Sequence, residues 1–243
     1  MKRFIVLSML TVFLFTIPSC YFEGSWNSGI SGNGNVVDEE REIKGFSGIH
    51  VSSGVDVFLT QDDDFYVKVV ADDNLMDIIK TEVKGDILDV GVEKPGIRRA
   101  ESKKVYISMP ALHRLKISSA GDCIAETPFN CEDLDIDISS AGDLKLEVYA
   151  ERMDIDISSS GDAKIWGEVE DLEASLSSAG DLDAFDLIAR NVRVSVSSAG
   201  DASVYATEEL HMTASSAGNI YYRGEARVVK SSTSSSGDIV NRN

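Results

Sequence analysis

Basic residues are scarce in this chain. Its 243 residues carry 23 Lys and Arg against 41 Asp and Glu, a formal charge of −18. A surface that negative repels phosphate backbones and anionic lipid surfaces, which argues against nucleic acid as a partner. Histidine is also rare. His50, His113 and His211 lie far apart, and none has the i, i+4 partner of a helical zinc site. No Gly-x-Ser-x-Gly elbow marks a nucleophilic serine. Acidic pairs are so frequent that none stands out. Beyond the first twenty or so residues, no apolar run is long enough to cross a membrane. No catalytic residue, metal site or cofactor is therefore expected.

The leader is the first positive signal. Lys2 and Arg3 precede an apolar run from Phe4 to Phe15, and Ile17-Pro18-Ser19-Cys20 follows. This is the layout of a secretory signal peptide, 1–19, removed on export. Ser19-Cys20 resembles a lipobox, the cleavage and acylation signal of bacterial lipoproteins, with Pro18 departing from the usual small residue. Cys20 is thus the expected lipidation site and the link to the membrane. The leader takes Lys2 and Arg3 with it, so the mature chain is more negative still. Residues 20–35 are expected as anchor and flexible tether. Tyr21 to Asn35 is rich in Gly, Ser and Asn, a composition that reaches roughly 20 Å in such a length.

A repeat dominates the rest. Ser-Ser-(Ala/Ser)-Gly-(Asp/Asn) occurs seven times, with glycines at Gly121, Gly142, Gly161, Gly180, Gly200, Gly218 and Gly237. Apolar residues stand eight, six and four positions before each glycine: Leu134, Ile136, Ile138, then Met153, Ile155, Ile157, and onward to Leu210, Met212, Ala214. Polar residues such as Asp135, Asp137, Asp154 and Asp156 fall between them. That is period-two alternation, a strand with one dry face. It resumes after the glycine, as in Leu144 and Leu146. Each unit reads as strand, tight turn, strand, return. A period of about twenty residues is too short for a propeller blade and fits one coil of a parallel β-solenoid. Six steps of roughly 4.8 Å make a column of about 29 Å. The glycine is expected to supply a positive φ or a close approach at the corner, and the serine two before it to point inward. The first unit (His113, Leu115, Ile117) and the last (Val229, Ser231, Thr233) look like polar column ends.

Two features of the repeat are chemically open. Cys123 holds the inward place of Leu144, and Cys131 that of Ala150. Export permits a disulfide, and two buried thiols fit equally well. Asp122, Asp143, Asp162, Asp181, Asp201, Asn219 and Asp238 share one corner position. Each carboxylate is expected to accept backbone N–H bonds at its own corner, with a cation-collecting column as the sharper alternative.

Residues 36–110 are less regular and read as opening coils or hairpins of the same β body, ahead of repeats over 111–243. Ile49, Val51, Val55, Val57 and Leu59 alternate; Val67 and Val69, then Ile87, Val90 and Val92, then Val105, Ile107 and Met109 mark further strands. Asp73 is expected to cap a helical turn from Asn74 to Lys80. Arg98-Arg99 and Lys103-Lys104, beside Glu101, read as a solvated basic loop.

Gly34-Asn35-Val36, Arg41, Gly45-Phe46, Gly54-Val55-Asp56-Val57, Gln61, Ala71-Asp72 and Asn74-Leu75, with the Ser-Ala-Gly-Asp units behind them, resemble the head GIN domain of putative auto-transporter adhesins. The resemblance implies a right-handed parallel β-helix-like fold in an exported bacterial protein, and it brings no catalytic residues. The expected function is a non-catalytic cell-envelope lipoprotein that binds an unidentified glycan or protein through the faces of its solenoid. The alternative is a carbohydrate-processing enzyme, a lyase or glycosidase, on the same fold. A cleft with convergent acids and bases from adjacent coils would favour the alternative.

Overall fold

The computed structural model describes residues 29–243. The protein is a nearly all-β solenoid with an irregular N-terminal sheet, as its alternation requires. Cys20 and the leader lie outside the described residues.

The strands Phe129–Ile138, Asp143–Ser159, Asp162–Ser178, Asp181–Ser198 and Asp201–Ser215 stack in parallel, coil upon coil. Ile136 pairs with Ile155, Ile155 with Ala174, Ala174 with Val194 and Val194 with Met212. All five side chains are buried, so the core is a set of apolar ladders along the axis. Asp135, Asp154 and Asp156 face solvent and Asp137 is half-buried, as the alternation predicts. The return side of a coil is not a break. Asp143–Ser159 runs on as one strand past Ala150, and only the glycine corner interrupts it. Unequal glycine intervals are absorbed as bulges, for instance between Ala184 and Ile188.

The corner meets the close-approach half of the expectation and departs from the rest. The positive φ belongs to serine: 72° at Ser119, 68° at Ser140, 70° at Ser159, 74° at Ser178 and 73° at Ser198. These serines, two before each glycine, point outward and are exposed. The inward turn of the chain is completed by the glycine, which is needed for close approach. A Cβ on Gly161 would lie 2.5 Å from Cγ2 of Ile138 and 3.3 Å from the Gly142 carbonyl in the preceding coil. That glycine carbonyl accepts a hydrogen bond from Asp162 N at 3.1 Å, and the same link recurs from coil to coil. The serine that satisfies backbone stands one residue earlier. Ser139 Oγ donates to Ile117 O at 3.4 Å and Ser197 Oγ to Leu176 O at 3.4 Å.

The first repeat unit is not an end of the column. Gly48–Val51 and Asp56–Gln61 stack on Arg114–Ile117 and Asp122–Ala125. Ile87–Val92 and Lys103–Met109 stack on the far side of that coil. The chain thus lays its second coil outside its first and returns across the first to begin the repeats. Two antiparallel additions close this end. Tyr66–Asp72 pairs with Lys103–Met109 and carries Val36–Glu40, while Ile79–Lys84 pairs with Ile87–Val92. Covering the outermost parallel strands removes an edge that could recruit another chain. At the opposite end every residue of Arg227–Ser234 is exposed, and all but Val228 and Val229 are polar. Val228, not Val229, takes the register place of Leu210, because a bulge follows it. The helical turn is 3-10 over Asp73–Ile78, and Asp72 stands at its N-cap without a side-chain capping bond.

The residues behind the family resemblance meet as clamps. Asp72, fully buried, accepts from Gly34 N at 3.1 Å and Glu101 N at 2.8 Å. Arg41 donates to Ile79 O at 2.6 Å and Met76 O at 3.1 Å. Gln61 accepts from Asn130 N at 2.8 Å and donates to Pro110 O at 3.0 Å. Ile30–Ser31 pairs with Ile97–Arg99, so the stretch from Gly29 to Asn35, expected as part of a free tether, is fixed to the body. The basic residues are correspondingly in strands rather than a solvated loop. Arg98 Nη2 donates to Ser31 Oγ at 2.7 Å, and Lys104 sits 5.7 Å from the centre of the Phe58 ring.

Candidate binding groove

Parallel stacking converts each outward sequence position into a row along the axis. One row runs Arg114, Asp135, Asp154, Glu173, Arg193, His211. A second runs Asp133, Arg152, Asp171, Asn191, Glu209, Arg227. Between them lies a trough of about 870 Å³ lined from successive coils, with the buried row of Leu134, Met153, Leu172 and Val192 as its floor. Serines extend the same face. A second hollow of about 390 Å³ is lined by Asp156, Ser158, Ser175, Ser177, Ser195 and Ser197.

One wall is acidic at Asp135, Asp154 and Glu173 between Arg114 and Arg193, while the other alternates, with Arg152 between Asp133 and Asp171. Its arginines pair across coils: Arg114 with Asp135 at 3.0 Å, Arg152 with Asp133 at 2.7 Å and Arg193 with Glu173 at 3.5 Å. Arg190, on the flank, joins Glu170 and Glu208 at 2.7 and 2.8 Å. Each such pair is half-exposed and contributes little stability alone. Together they fix the walls. Asp154 sits between Asp135 and Glu173 in its row. Partial burial first, then the charges of Asp156, Glu173, Asp135 and Asp137, push its carboxyl above the usual range. The site therefore presents fixed acceptors, flanking guanidinium groups and hydroxyls, a set suited to a polyhydroxylated or mixed-charge ligand laid across the coils.

The other candidate residues scatter. His113 Nε2 lies 3.3 Å from Asp86 and His211 Nε2 lies 3.9 Å from Glu209. His50 alone joins a constellation: Nδ1 is 3.0 Å from Asp89 Oδ1 and Nε2 is 3.0 Å from Ser118 Oγ. No local pattern marks this, because the three residues meet only through the inverted order of the first two coils. Cys123 is buried, Cys131 partly so, and both are free thiols. Burial, with Asp122 nearby, pushes the Cys123 thiol up to about 12. Burial likewise raises Cys131 to about 11 against a backbone hydrogen bond from Leu112. Neither is a reactive thiolate at neutral pH.

The corner aspartates stack as expected, Asp122 on Asp143, Asp143 on Asp162 and Asp162 on Asp181. Their hydrogen bonds run mostly between coils and not within each corner: Asp181 Oδ1 accepts from Asp201 N at 3.0 Å, and Asp201 Oδ1 from Asn219 Nδ2 at 2.8 Å. Asp238, which accepts from Ile239 N at 2.9 Å, is closest to the local pattern. Burial, then Asp122 and Asp162, raises the Asp143 carboxyl. Among the described residues, no group of His, Cys, Asp or Glu is arranged to hold a metal ion.

The family model for the putative auto-transporter adhesin, head GIN domain, matches residues 45–226. The chain belongs to that family. Its fold recurs in solved structures. A putative adhesin from Bacteroides fragilis NCTC 9343 is 23% identical, with a TM-score of 0.81 over 88% of this chain and 100% of that one. A putative lipid binding protein from Parabacteroides distasonis ATCC 8503 is 25% identical, with a TM-score of 0.71 over 87% and 99%. A putative adhesin from Parabacteroides merdae ATCC 43184 is 20% identical, with a TM-score of 0.70 over 88% and 99%. No curated protein matches the sequence. Among the described residues, no helix of this GIN-domain protein is long and apolar enough to cross a membrane.

Proposed function

We propose that this GIN-domain protein is an exported lipoprotein, anchored through Cys20, that acts as a non-catalytic adhesion module and binds a glycan or protein along its coil-spanning trough. The trough carries this reading. It is continuous over adjacent coils, walled by paired charges and prolonged by a serine face. An extended polymer meets repeating contacts there at the strand spacing of about 4.8 Å. The fixed attachment of Gly29 to Asn35 leaves residues 20–28 as the link between the proposed anchor and the body.

A second reading draws on Asp154. In-register carboxylates on neighbouring parallel strands stand roughly 5 Å apart, near the separation of retaining glycosidases, and a raised carboxyl suits a general acid. The arginines' engagement with the walls and the shallow, open trough favour binding. A soluble Cys20→Ala form should be released from membranes and should retain glycans or proteins in a pull-down. Membrane retention of that variant would refute the anchor. Cleavage of a retained glycan would favour the enzyme.

A further inference from the structure

The serine ladder has one member with a different neighbour. Along it, serine hydroxyls donate to carbonyls of the preceding coil, at 3.4 Å for Ser139 and 3.5 Å for Ser158. Ser118 has the same option, Val51 O at 3.3 Å, but also a nearer acceptor in His50 Nε2 at 3.0 Å. His50 Nδ1 faces Asp89 Oδ1 at 3.0 Å. The Asp89 side chain is only 19% exposed, and that of His50 32%.

Asp89 is held as a carboxylate. Burial works against its charge, but Lys84, hydrogen-bonded at 2.8 Å, with His50 and Lys80, outweighs it and lowers the carboxyl below its usual range. An ionised carboxylate only accepts, so neutral His50 keeps its proton on Nδ1 and turns the Nε2 lone pair to Ser118. The charged groups about this site are Asp89, Lys80, Glu82 and Lys84 on one flank and Lys116, with Asp137 in register beyond it, on the other. Lys116 stands in register beside His50 on the adjoining strand, Arg114–Ile117. The three side chains reach one another because Ile87–Val92, Gly48–Val51 and Arg114–Ile117 lie side by side. A hollow of about 510 Å³, which Asp89 and Ser52 help to line, opens next to them.

We propose that Ser118, with His50 as base and Asp89 as its positioning residue, is a nucleophile that accepts acyl groups from carboxylic esters. Ser118 Oγ attacks the ester carbonyl carbon as its proton passes to His50 Nε2. The tetrahedral oxyanion forms on the sheet face that also carries Lys116, in register with His50. Its collapse breaks the bond to the leaving alcohol, which takes the proton back from His50. The products are acyl-Ser118 and the free alcohol. The Ser118 backbone N–H is already bound to Val51 O at 2.8 Å and offers no oxyanion contact. Acylation is therefore slow and deacylation slower, so the product is a covalent attachment. The outer sheet face admits an ester carried on a polymer. This inference is independent of the trough.

The test is incubation of the full chain with p-nitrophenyl acetate, followed by peptide mapping. Ser118 should be acetylated, at a rate that rises with pH, while Ser139 stays unmodified. His50→Gln should slow the reaction about 100-fold or more, within the usual range for general-base catalysis, and remove the pH dependence. Asp89→Asn retains the imidazole but frees its tautomer, and should lower the rate and flatten the pH profile. Circular dichroism melts identify variants that remain folded. Acetylation of Ser118 no faster than of Ser139, or a folded His50→Gln or Asp89→Asn variant reacting at the wild-type rate, would overturn the proposal.

Discussion

Exchanging the roles of serine and glycine at a single corner tests how the repeat turns. In Gly161→Ala the new Cβ would sit 2.5 Å from Ile138 Cγ2, whereas ordinary carbon contacts begin near 3.5 Å. About an ångström must be recovered by moving a fully packed isoleucine or the coil backbone. The backbone is poorly placed to yield, since the Gly142 carbonyl at 3.3 Å also accepts from Asp162 N. Overpacking of this kind costs about 1–3 kcal/mol. Two residues earlier the sign reverses. Ser159 holds φ at 70°, a conformation costing a residue with a Cβ roughly 1–2 kcal/mol. Ser159→Gly removes that cost while adding unfolded-state entropy of roughly 0.5–1 kcal/mol, leaving a gain of up to about 1.5 kcal/mol. Urea titration followed by circular dichroism, with hydrogen exchange at the corner amides, reads both. A neutral Gly161→Ala together with a destabilising Ser159→Gly would show neither close approach at the glycine nor strain at the serine, and refute the corner geometry.

Ile155→Ala, at a fully buried ladder position, should cost about 2–5 kcal/mol by denaturation, because the stacked coils can collapse only partly onto the void. Asp72→Ala leaves the Gly34 and Glu101 N–H groups without their acceptor; it should cost about 1–3 kcal/mol and speed hydrogen exchange across residues 30–40. Asp154→Asn should raise the melting temperature at pH 7. Because the folded carboxyl titrates above its unfolded value, its unfavourable charge develops as pH rises through that window, so the gain should vanish below pH of about 4. A gain that persists in acid would exclude charge repulsion as its cause.

The coil stack was legible because alternation and a fixed period report directly on facing and stacking. Leu134, Ile155 and Val194 are buried where the period puts them, and Cys123 pairs with Leu144 as counting predicts. Backbone conformation at the corner was less legible. Serine and glycine both tolerate turns, and only the distance from Gly161 to the preceding coil assigns each its part. The N-terminal region hid its order, since Ile49 and Leu88 have the same pattern and nothing local says which coil lies outside. His50 therefore looked like an isolated outward residue, although long-range stacking sets it between Asp89 and Ser118. The trough was half visible. Its acids were evident as outward positions, while its arginine pairings depend on register between coils.

Adhesion through the trough is tested by binding of the soluble Cys20→Ala form on a glycan and envelope-protein array, compared with the same form carrying Asp135→Asn, Asp154→Asn and Glu173→Gln. These three positions are outward and in register, so the fold should survive, as a melting curve will check. The soluble form should bind a defined set of ligands whose affinity falls at least about tenfold in the variant, equivalent to 1.4 kcal/mol or more. Ligands bound equally well by the folded variant would contradict it.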